Sequence, residues 1–179
     1  MADREQILKR LPDPKGGERP TPAVRARSVP VGDLWKRFEE RLHALGARVM
    51  SLESLGQFRD NAIFDEDLPE AVRETLGNPV ADVWEAAAGV TLGDLAVAET
   101  GSVLLAALPG RSRLNSLAPP THVVLVRRAE IVASLDEALA RLSPQTSVLV
   151  SGPSRTADVE GVMVMGVHGP RSLWVVPIP

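Results

Sequence analysis

Three short apolar runs, at residues 122–126, 147–150 and 172–176, constrain this chain more than any other feature. Each is valine-rich, too short for a helix, and lacks the polar alternation of a strand with one wet face. Such runs suit strands buried on both faces of a sheet. The segments between and before them read as helices. Ser134 can cap a helix through Leu142, and Asp136 and Glu137 in its first turn suit the helix dipole. Asp33 can cap a helix carrying Leu34, Phe38, Leu42 and Leu45 at helical spacing, which Gly46 would end. A first strand is expected over 47–52, a short helix over 53–60, and a short strand over 62–64. Further helices are expected over 68–76 and 81–88, with one helical turn within 154–161. Residues 94–99 and 102–106 flank Thr100-Gly101 as paired strands or one bent strand. Strands alternating with helices predict an α/β fold, a three-layer domain with a mainly parallel central sheet from about residue 47 onward.

The start of the chain has a different character. Between Lys9 and Pro30 lie five prolines, two glycines and six basic residues against two acids. That is linker composition, so residues 1–30 are expected to be a flexible segment preceding a domain over 31–179. No apolar run reaches the roughly 18 residues of a transmembrane helix. The N-terminus is charged and has no signal-peptide core, so a cytoplasmic location is expected.

Composition removes several functions. The net charge is -3 and aromatic residues make up 3%, so neither phosphate attraction nor base stacking favours nucleic acid as a partner. There is no cysteine. Thiolate zinc sites, cysteine nucleophiles and cysteine-ligated iron–sulfur clusters are therefore excluded within this chain. The three histidines form no metal-binding pattern, so no metal and no resident cofactor is expected.

Ligands of open parallel sheets bind outside the carboxyl ends of the strands. Three loops at predicted strand ends carry unusual polar residues. In the first, Glu99 precedes Thr100, Gly101 and Ser102. A carboxylate at an apolar sheet edge is either a base or nucleophile, or an acceptor for loop N–H groups. In the second, Ser151, Gly152, Pro153, Ser154, Arg155, Thr156 and Asp158 follow a predicted strand. If a helix starts there, its free N–H groups and Arg155 can hold a carboxylate or phosphate. The alternative is that Arg155 simply pairs with Asp158. In the third, His168 lies between Gly166 and Gly169. His168 and His122 are either proton-transfer groups near neutral pH or hydrogen-bonded structural residues. Arg111, Arg113 and Asn115 form either a carboxylate clamp or a solvated loop. Glu99, Arg155 and His168 are expected around one pocket.

Taken together, these loops resemble the LUD domain of the lactate-utilization protein C family. The run 98–102 is similar to its A-E-T-G segment. Leu117 and residues 121–123 stand where it has a leucine-rich stretch and a histidine strand. Residues 151–160 resemble its S-G-P-S-x-T-A-D-I-E signature, and 166–170 its G-V-H-G-P signature. The resemblance covers roughly residues 90–177. It implies a coenzyme A transferase-like fold, related also to ribose-5-phosphate isomerase and glucosamine-6-phosphate deaminase. It further implies a part in oxidising L-lactate to pyruvate, as an accessory subunit beside iron–sulfur partner proteins. The alternatives are a stand-alone enzyme acting on a small organic acid or ester, and a regulatory domain binding a small carboxylate. On this resemblance Glu99, His122 and His168 are the catalytic candidates. Thr100, Gly101, Ser102, Arg113, Ser151, Gly152, Ser154, Arg155, Thr156, Asp158 and Gly169 are the ligand-binding candidates. One departure is the stretch from Gly46 to Glu99, only about 50 residues and shorter than in many members.

Overall fold

A computed structural model describes residues 32–141, 146–157 and 163–179. The expectations for residues 1–30 and for Asp158 lie outside these. Helix α1 (Leu34–Ala44) starts where Asp33 Oδ1 accepts the N–H groups of Trp35 and Lys36. Strand β1 (Arg48–Val49) and a 3₁₀ turn (Glu53–Phe58) follow. Next come β2 (Ala62–Phe64), α2 (Glu70–Leu76), β3 (Ala88–Leu92), β4 (Leu95–Val97) and β5 (Ser102–Ala106). The remainder is α3 (Arg113–Leu117), β6 (Thr121–Arg127), β7 (Ile131–Val132), α4 (Leu135–Arg141), β8 (Ser147–Val150), β9 (Arg155–Ala157), β10 (Met163–Met165) and β11 (Ser172–Ile178).

The expected parallel sheet is present, in the order β1-β11-β6-β3-β2, with every pairing parallel. Its two faces divide the β6 side chains. Val123 and Leu125 enter a core shared with the 3₁₀ turn and α2, through Leu55, Phe58, Val72 and Leu76. Val124 and Val126 enter a second core with Phe38 and Leu42 of α1. A second sheet, β7-β4-β5-β8, also packs on this second core, and α4 covers its outer side. The mixed α/β class with a mainly parallel central sheet therefore holds.

Several local expectations change. The run 147–150 is no parallel, doubly buried strand: β8 is antiparallel to β5, with Leu149 exposed. The 94–106 stretch is the paired alternative, β4 antiparallel to β5. Residues 81–88 form no helix. Asp82 Oδ1 accepts the Trp84 N–H in a tight turn, and Ala88 already begins β3. The alanines suggested a helix, but burial of all five β3 residues overrode that propensity. Of the 154–161 segment expected to hold a helical turn, the described part is extended: residues 155–157 are β9, paired antiparallel with β10, and 158–161 lie outside the described residues.

Gly89 sets the spacing of the layers. A Cβ there would lie 1.7 Å from the Asn115 carbonyl oxygen. The short helix α3 thus rests directly on β3, and only glycine permits it.

Candidate functional site

Two cavities flank α3. The first lies at the amino edge of the parallel sheet, where β6 and β11 begin. It encloses about 220 Å³ and is lined by Ser116, His122, Val148–Ser151, Gly152, Ser154, His168, Gly169 and Pro170, among others. Backbone bonds assemble its rim. Ser154 N–H donates to the Pro170 carbonyl at 2.8 Å, and Gly166 N–H to the Ser154 carbonyl at 2.9 Å. Ser102 and Ser151 hydroxyls share a 2.7 Å hydrogen bond that ties β5 to the end of β8. His168 stands exposed at the opening, while His122 is 1% exposed. Burial pushes the His122 imidazole down to about 4, so the ring is neutral near pH 7. Its Nε2 lies 2.8 Å from the Thr91 hydroxyl.

Thr91 leads to the second cavity, near the carboxyl ends of β2 and β3. Its walls include Asp65, Thr91, Arg111, Ser112, Arg113 and Ser116. Asp65 is 2% exposed, and its Oδ1 accepts Asn115 Nδ2 at 3.0 Å. Burial pushes this carboxyl up to about 6, with Asp67 adding repulsion and Asn115 and Arg111 working against the rise. Arg111 bridges Asp67 and Asp94 at 2.7 and 2.8 Å. Burial opposes its charge, but the two carboxylates outweigh burial and hold its pKa above the ordinary value. Among the described residues no group of three or more His, Asp or Glu is placed to hold a metal. No helix among them is long and apolar enough to cross a membrane.

The family model of the LUD domain matches residues 36–178. This chain belongs to the LUD domain family. A lactate utilization protein C from Exiguobacterium sp. (strain ATCC BAA-1283 / AT1b) is 31% identical over 166 residues, 84% of this chain and 68% of that protein. A protein of the same name from Geobacillus sp. (strain WCH70) is 32% identical over 136 residues, 62% of this chain and 56% of that one. The chain therefore spans about two thirds and about half of these two relatives. The crystal structure of a DUF162 family protein from Deinococcus radiodurans shares the fold. Its TM-score is 0.58 at 22% identity, over 82% of this chain and 96% of that one.

The LUD fold distributes the expected site residues unevenly. His122, His168, Ser151, Gly152, Ser154 and Gly169 come together around the amino-edge cavity. Ser102 joins them through Ser151. Glu99, Arg155 and His168 do not share a pocket. The Glu99 carboxylate turns to the start of α4, where Leu135 N–H lies 3.5 Å from Oε2. The Arg155 guanidinium donates to the Leu45 carbonyl at the end of α1. The helix-start cradle expected at 154–156 is not formed, because the Ser154 N–H is spent on Pro170 and Thr156 pairs with Val164. Thr100 Oγ1 is buried without a partner among the described residues. Gly101 is structural: φ is 71°, and a Cβ would lie 2.6 Å from the Leu42 nitrogen. Arg113 belongs to the other cavity.

Asp65, Thr91 and Asp94 escaped the sequence reading. Two signals were available. Asp65 directly follows a predicted strand, and Thr91 is the one hydroxyl in an apolar run.

Proposed function

We propose that this LUD-domain protein serves lactate utilization, as a non-redox subunit assembled with iron–sulfur proteins in the cytoplasm. One observation carries the reading: 31% identity, over 84% of the chain, to a protein named lactate utilization protein C. The composition supports the division of labour. Oxidation of L-lactate to pyruvate releases two electrons and two protons, and a chain without cysteine has none of the usual cluster ligands to receive the electrons. The partners accept them. This chain contributes the amino-edge cavity, with His168 exposed at its opening. His122 behind it stays neutral and acts by position. A stand-alone transferase-like enzyme using Glu99 as nucleophile is the weaker reading, because that carboxylate lies against the α4 backbone.

The test is affinity capture of the tagged full chain from its native cell under anaerobic conditions. The expected eluate contains companion proteins with stoichiometric iron and sulfide, and it oxidises L-lactate with an artificial electron acceptor. The chain purified alone is expected to be inactive. Lactate oxidation by the isolated chain, or its elution alone from lactate-grown cells, would refute the reading.

A further inference from the structure

We propose that the amino-edge cavity binds a small uncharged compound of about one ring in size, with a hydroxyl or carbonyl group on the His122 imidazole and its apolar end against Leu117 and Leu149. This names the ligand class of the cavity that the subunit reading assigns to the chain, and it rests on that reading to that extent. Volume is the first argument. The cavity encloses about 220 Å³, and an apolar cavity of roughly 150 Å³ already accepts benzene. A single ring with one substituent fits this space, and a nucleotide does not.

Charge is the second argument. Among the described residues that line the cavity, none is Asp, Glu, Lys or Arg. His122 is enclosed, and burial keeps its ring neutral near pH 7. A carboxylate or phosphate brought inside would lose its hydration and find no fixed cation, only the exposed His168 at the opening. An uncharged ligand meets no such penalty.

The polar groups left open supply the third. His122 Nε2 is held by the Thr91 hydroxyl, while Nδ1 has no hydrogen-bond partner among the described residues. Nor is Nδ1 sealed, because Thr100 Oγ1 is the only side-chain N or O atom among them that is both enclosed and unpartnered. An imidazole nitrogen on the cavity wall that is neither bonded nor sealed is open to the cavity. It donates or accepts according to the tautomer that Thr91 selects, so it suits a hydroxyl, which does both, or a carbonyl. Ser154 Oγ, at the rim, likewise has no partner among the described residues. Val148, Val150, Pro170 and Leu173 form apolar wall, and Leu117 and Leu149, 42% and 41% exposed, carry it out to the opening. A few convergent polar groups in an apolar wall is the pattern of a small-molecule site.

The experiment titrates the isotope-labelled full chain near neutral pH with phenol, toluene and benzoate, rings of similar size that differ in one group. Amide and imidazole resonances report binding. Phenol, uncharged under these conditions, is expected to bind saturably and to shift His122, Ser151, Ser154 and Gly169. Toluene should bind about tenfold more weakly, whereas a wall without a polar partner would favour it, since an unpaired hydroxyl loses its hydration for nothing. Benzoate should bind about a hundredfold more weakly than phenol. His122→Phe should reverse the order of phenol and toluene. If that variant does not fold, the Nδ1 resonance of the unmodified chain answers the same question: it moves with phenol and stays with toluene. The proposal is overturned by benzoate binding as tightly as phenol, by toluene binding more tightly than phenol, or by a phenol preference that survives His122→Phe. An Nδ1 resonance indifferent to phenol, shifts confined to residues outside the cavity, or no saturable binding of phenol would overturn it equally. None of these results touches the capture of iron–sulfur partners, so the two readings fail separately.

Discussion

His122 and Asp65 are buried titratable groups with opposite effects on stability. A neutral His122 in the folded state must compete with an unfolded histidine that gains a proton below its ordinary value near 6.5. Its contribution is fully present above pH 6.5 and is lost as pH falls toward 4. A drop of that size corresponds to about 3 kcal/mol. Asp65 works the other way. Its folded value of about 6 exceeds the ordinary 3.8, so the folded state takes up a proton first and gains stability as pH falls from 6 to 4. That gain is also about 3 kcal/mol. In the wild-type chain these two contributions nearly cancel across this window. Asp65→Asn removes one side of the balance. Urea melts of this variant should show stability falling steeply below pH 6.5, while His122→Gln should show stability rising. Parallel profiles for both variants and the parent would mean that neither group is buried in solution. Neither effect was legible from residue type, because a histidine beside valines can be solvated or sealed. The β3 register and the α3 roof decide which.

At the scale of elements, α3 and the loop before it hold the two cavities in place. Gly89→Ala should cost about 3 kcal/mol or more, because the added methyl meets backbone rather than a flexible side-chain end. A lowered melting temperature and loss of near-ultraviolet dichroism would report it, and a neutral result would show that α3 can lift off β3. Arg111→Lys is expected to cost about 2 kcal/mol. A lysine cannot bridge two carboxylates as the guanidinium does, and the Arg111 side chain is only 10% exposed. Elements with a local signature were legible. The α1 cap at Asp33 is set by its own side chain and the stop at Gly46 by its positive φ, both immediately next to the element. The 81–88 turn and β9 were not: β3, which ends that turn, is held by β6 about thirty residues on, and β9 takes its conformation from pairing with β10 rather than from a helix-start signal. The 47–92 stretch, expected to have lost a strand–helix unit if shortened, supplies β1, β2 and β3.

Across the whole molecule, stability is concentrated where layers meet. β6 pairs on both sides and feeds both main cores, so its amides should exchange only through global unfolding. The β9–β10 hairpin is largely exposed, and its amides should exchange orders of magnitude faster. Hydrogen exchange with residue resolution checks this, and equal protection of the two would contradict the layering. The amino-acid sequence determined by itself that the runs at 122–126 and 172–176 are buried strands, that strands alternate with helices, and which family the loops resemble. Those properties follow from periodicity, caps and local motifs, each contained within a few residues. Only the tertiary structure decided that β8 leaves the parallel sheet for β5, that Glu99 and Arg155 turn away from His168, and that Asp65 and Arg113 line one cavity. Each of these outcomes depends on register and on which layer covers which face. Those are set by the summed burial of residues distant in the chain, which no local pattern encodes.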